Sequence, residues 1–135
     1  MKRPFITLAL MVGIAIYFIS TRMDSAEELI EPALSAPGQA QTATLTSDLR
    51  TLVNVQSMYE AIEGTFASQL TVLEFSGSAG VTVRMIEASA RGFSAEATHP
   101  SDPNGSCVVF VGDVAAPSTR GGTVATAART PVCDR

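Results

Sequence analysis

The chain has 135 residues, a net charge of −4, two cysteines, one histidine and no tryptophan. That length accommodates one domain of ordinary size. The acidic balance disfavours nucleic acid and anionic head groups as partners, and no basic cluster is dense enough to follow a phosphate backbone.

The chain opens on an apolar run, "PFITLALMVGIAIYFIS", bounded by Arg3 and Arg22 with 18 uncharged residues between them. As a helix this gap covers roughly 27 Å, close to the hydrocarbon thickness of a bilayer. Residues 1–22 are therefore expected to form a transmembrane anchor, with Pro4, Phe5, Leu8, Leu10, Val12, Ile14, Ile16 and Phe18 facing lipid. A secretory signal is the rival reading, but "YFISTRM" places bulky residues where a peptidase needs small ones. Charge is +2 over residues 1–20, −3 over 21–40 and −3 over 41–135. The positive-inside rule then predicts a single pass through the inner (cytoplasmic) membrane. The N-terminus is cytoplasmic and the rest periplasmic or extracytoplasmic.

Residues 23–44 read as a stem or linker. Pro32, Pro37 and Gly38 interrupt any regular helix there, and the second half is rich in Ala, Gln and Thr. Residues 45–135 form the expected head. Leu45, Leu49, Leu52, Val55, Tyr59 and Ile62 recur at helical spacing and predict one amphipathic helix with that stripe as core. Thr44, Thr46 or Ser47 is the expected N-cap, with Asp48 in the first turn. Asp48, Arg50, Glu60 and Glu63 are available for the wet side, and Gly64 is placed to stop the helix.

The period then changes from helical to alternating. "VTVRM" (81–85), "FSAEATH" (93–99) and "CVVFVG" (107–112) read as three strands, separated by Arg91-Gly92 and by "PSDPNGS". Phe93, Ala95 and Ala97 share one face. The fold class is thus α+β, one helix packed on a small antiparallel sheet. Cys107 and Cys133, an even pair in an exported domain, read as one disulfide, which is expected to hold the aperiodic residues 113–135.

The order "SDLRTL", "YEAIEGTF", "LEF", "GVTVRM", "GFSAEATH", "CVVFVG" and a late cysteine resembles the globular head of type IV pilins and type II secretion pseudopilins. The resemblance covers roughly residues 45–134 and implies that the strands pack across the outer half of a long N-terminal helix. It also implies that the cysteines pin the C-terminal loop. The N-terminus departs from that family. In "KRPFITLA", Pro4 stands where the leader peptidase expects glycine, and Ala9 where the family carries a glutamate.

No motif for enzyme chemistry is present. His99 stands alone, "DPNGS" is too short for an EF-hand, and "GSAG" lacks the rest of a phosphate cradle. Asp113 and Asp134 lie where some pseudopilins hold calcium, Asn104-Gly105-Ser106 fits a glycosylation sequon, and Tyr59, Phe66, Phe75, Phe93 and Phe110 read as core. The chain is expected to be a non-enzymatic structural subunit of a membrane protein complex, without cofactor, metal, nucleic acid or small-molecule substrate. Its partners are other subunits of the complex, and lipid around residues 4–20. A minor pilin or pseudopilin, or an extracytoplasmic ligand- or calcium-binding module, are the alternatives.

Overall fold

The computed structural model describes residues 37–134. The expected anchor and the first part of the stem lie outside them. Among the described residues, no helix is long and apolar enough to cross a membrane. One helix, α1 (Pro37–Glu63), is followed by a 3-10 turn (Leu70–Leu73) and four strands: β1 (Thr82–Ala88), β2 (Gly92–His99), β3 (Asp102–Gly112) and β4 (Val132–Cys133). The strands form one antiparallel sheet in the order β1-β2-β3-β4. The α+β reading holds, with a fourth strand that the sequence did not show.

Helix α1 starts eight residues before the expected stripe, so the second part of the stem is helical. Proline breaks a helix from its interior; at the first position it removes only an amide that would have had no partner. The threonines meant as caps lie inside the helix, and Thr42 and Thr44 donate back to the carbonyls of Gly38 and Ala40 at 2.9 and 3.0 Å. The predicted stop holds. Gly64 takes a left-handed φ of 72° and its N–H donates to Glu60 C=O at 2.8 Å.

Leu45, Leu49 and Leu52 are buried, Val55 and Tyr59 are half-buried, and Ile62 is 80 % exposed. Ile62 is thus a correction to the predicted stripe. Its positions advance slightly faster than a helical turn, so Ile62 falls about 100° around the axis from Leu45. Val53 and Gln56 occupy the buried side instead.

The layer opposite α1 comes from Phe93, Ala95 and Ala97 on β2 with Cys107, Val109 and Val111 on β3, all buried. The register places Ala97 beside Cys107, Ala95 beside Val109 and Phe93 beside Val111. Alanines at the centre leave room for Leu49 and Leu52 to press onto the sheet. Phe66 and Phe75 are partly buried against this core, and the Phe66 and Phe93 rings lie 5.3 Å apart. Tyr59 and Phe110 are only half-buried.

The turn signal "PSDPNGS" resolves into two features. Pro100 and Ser101 close the β2–β3 hairpin, while residues 103–106 bulge out of register between the pairs His99–Asp102 and Ala97–Cys107. The opposite face of the sheet is also covered. Ser94, Glu96, Ser106 and Val108 are buried there, beneath residues 113–134, which bury Pro117, Thr119 and Ala125 in turn. Arg129 N–H donates to Phe110 C=O, and the Cys107–Cys133 disulfide joins β4 to β3.

Candidate functional site

Three polar clamps organise the described residues, each a buried or half-buried group held by a distant segment. Asp48, expected on the wet side, is 8 % exposed. Its carboxylate accepts from Ser78 N–H and Ser78 Oγ–H, both at 2.8 Å, and so ties the loop before β1 to α1. Gln56 is fully buried and pairs with one peptide unit: Nε2 donates to Ala67 C=O at 2.7 Å while Ala67 N–H donates to Oε1 at 2.9 Å. Replacing Gln56 with leucine strands both Ala67 groups away from water. A loss of about 1–3 kcal/mol is expected in chemical denaturation. A neutral result would mean that water reaches Ala67.

The third clamp fixes the C-terminal cover. Asp134 accepts from Ser106 N–H and Gly121 N–H at 3.0 Å each, and from the Thr119 hydroxyl. A Cβ at Gly121 would stand 2.5 Å from Asp134 Oδ1, so only glycine lets the backbone come this close. Beside it, buried Glu96 accepts from Arg84 at 2.9 Å and from Arg120 Nε at 3.3 Å.

Both carboxyls sit below their ordinary pKa. Burial pushes Glu96 up, but the Arg84 hydrogen bond, the charges of Arg120 and Arg84, and Ser106 outweigh it. Burial likewise opposes ionisation of Asp134, and the bonds from Thr119, Gly121, Ser106 and Thr123 overcome it. A depressed folded pKa contributes stability above the unfolded value, and that stability disappears as pH falls through the folded value. Acid titration is therefore expected to weaken the domain below the ordinary carboxylate values of 4.5 and 3.8. The weakening should be smaller in an E96Q/D134N double variant, whose melting temperature would follow pH less steeply. An equal slope would show that neither carboxyl matters to the acid limb.

The residues singled out for chemistry do not converge on a reaction centre. His99 Nδ1 lies 2.5 Å from Ser101 Oγ in the hairpin turn. Asp102 Oδ1 accepts from Gly105 N–H at 3.0 Å. Asp113 forms an exposed ion pair with Arg91, and Asp134 is occupied by the cover. Among the described residues, no group of three or more His, Cys, Asp or Glu side chains could hold a metal ion. Gly77 and Gly80 flank the Ser78 clamp, and Ser106 of the sequon is buried, its Oγ accepting from Arg120 N–H at 2.8 Å.

The outward side of α1 has a different character. Among its exposed positions from Ala43 to Glu63 the charges are Arg50 and the terminal Glu63, with Glu60 half-buried; Ser47, Thr51 and Asn54 are small and polar. Met58 and Ile62, one turn apart, are 67 % and 80 % exposed. A solvated helix of this length ordinarily carries many charges on its outer face. No protein-family model matches the chain, and no curated protein matches it.

Proposed function

We propose that the chain is a non-enzymatic, single-span structural subunit. Its pilin-like extracytoplasmic head docks on and stabilises a larger membrane protein complex of respiratory, photosynthetic or secretion type. The observation that carries this reading is the exposed apolar pair Met58 and Ile62 on an outer face of α1 whose exposed charges are Arg50 and the terminal Glu63. Apolar side chains at such exposure lose water only when a partner covers them. The clamps at Asp48, Gln56 and Asp134 support the same reading, because they spend the buried polar groups on architecture.

Solubilisation in mild detergent followed by native electrophoresis tests it. The chain is expected to migrate with other subunits, and Ile62→Glu to release it without lowering the stability of the isolated protein. A wild-type chain that migrates alone overturns the proposal. One helix on an antiparallel sheet with a late disulfide also suits a minor pilin or pseudopilin. A mature chain beginning at Phe5 would favour that reading.

A further inference from the structure

The Cys107–Cys133 bridge borders a small open groove of about 50 Å³. Gly38, Thr42 and Leu45 of α1 form one side, with His99 and both cysteines among the other lining residues. Cys107 is 1 % exposed, whereas Cys133 is half-buried, and Thr46 Oγ1 lies 3.4 Å from Cys133 Sγ. A disulfide that serves only to brace a core is normally shut away from thiols; solvent access marks the labile ones.

The bridge also anchors, together with the Asp134 clamp, a segment that lies mostly outside the α1 packing. The packing between α1 and strands β1–β3 rests on Leu49, Leu52, Phe93, Ala95, Val109 and their neighbours; of residues 113–134 only Cys133 packs against it, and residues 113–132 take no part. Those residues instead cover the other face, over Ser94, Glu96 and Val108.

We propose that this disulfide is a redox latch, opened by a dithiol through the groove so that residues 113–134 lift from the sheet while the α1 face stays packed. One thiolate of the reductant attacks Sγ of Cys133, the less buried of the two residues. The Cys107–Cys133 bond breaks, and Cys107 leaves as a thiolate that takes a proton from water. The reductant's second thiolate then attacks its own sulfur in the mixed disulfide. That step closes the reductant's disulfide and frees Cys133 as a thiolate, with the Thr46 hydroxyl placed to donate to it. Two electrons pass from the dithiol to the protein, and both cysteines end as thiols. This inference stands independently of the docking proposal, since it concerns the isolated chain.

The test uses the full chain in detergent micelles with dithiothreitol and no denaturant, read by maleimide-polyethylene glycol labelling, circular dichroism and hydrogen exchange. Both thiols should label, the helical signal should persist, and protection should fall over residues 113–134 alone. A bridge that stays closed until urea is added overturns the latch, as does global loss of protection on reduction. Glutathione should give an adduct on Cys133, and an adduct on Cys107 overturns the route of attack. Thr42→Trp, which fills the groove, should slow reduction in native buffer but leave it unchanged in urea. Equal native rates would show that the thiol does not enter there.

Discussion

Phe93→Ala is expected to cost about 3–5 kcal/mol, the largest loss from any single side chain in the domain. Phe93 is fully buried, it is the largest of the fully buried side chains, and it stacks obliquely on Phe66 at 5.3 Å. Its neighbours cannot collapse into the vacated space. Phe93 is paired in register with Val111 at the sheet centre, and α1 is fixed at that end by the Gln56–Ala67 pair. Urea unfolding of the two proteins under oxidising conditions measures the difference. Ile62→Ala is the internal control and should shift stability by no more than about 0.5 kcal/mol, because that side chain is exposed. A Phe93→Ala protein as stable as wild type would mean that the helix does not sit on the sheet as described.

Removing the disulfide by a C107A/C133A double substitution is expected to cost about 3.5 kcal/mol on the chain-entropy account, given a sequence separation of 26 residues. The same account says that the loss arises in the unfolded chain, so the helical signal of the folded variant should match wild type while its melting temperature falls. The effect would be largest above the acid range, where the Asp134 clamp is intact and the cover is otherwise in place. Thermal melts of the oxidised, reduced and double-variant proteins should rank wild type first and the other two together. Equal melting temperatures for oxidised and reduced protein would show that the cover is held without the bridge.

The parts of this fold that follow from local spacing could be read in the sequence. Leu45, Leu49 and Leu52 recur at a helical period, Phe93, Ala95 and Ala97 alternate, and a pair of cysteines in an acidic, histidine-poor chain has few uses besides a bridge. What escaped reading depends on distant partners. Asp48 and Gln56 are polar residues on the inner side of a helix, and the groups that satisfy them, Ser78 and Ala67, lie 30 and 11 residues away in loops. Gln56 did leave a trace, since it continues the line through Leu49 and Leu52 where an apolar residue would be expected. The burial of Ser94 and Glu96 could not be foreseen, because nothing periodic in residues 113–134 announced a cover. That segment is pinned by one carboxylate and one bridge rather than by a strand or helix of its own. The N-terminal limit of α1 was misread for a local reason, since Pro37-Gly38 signals both the end of one regular segment and the first turn of another.

A straight helix of 27 residues is a stiff rod about 40 Å long. Its inner side is bolted to the sheet through the middle of its length, so the rod and sheet must turn as one body. A push on its outer side is therefore passed to the strands beneath as one displacement, with little bending along the way.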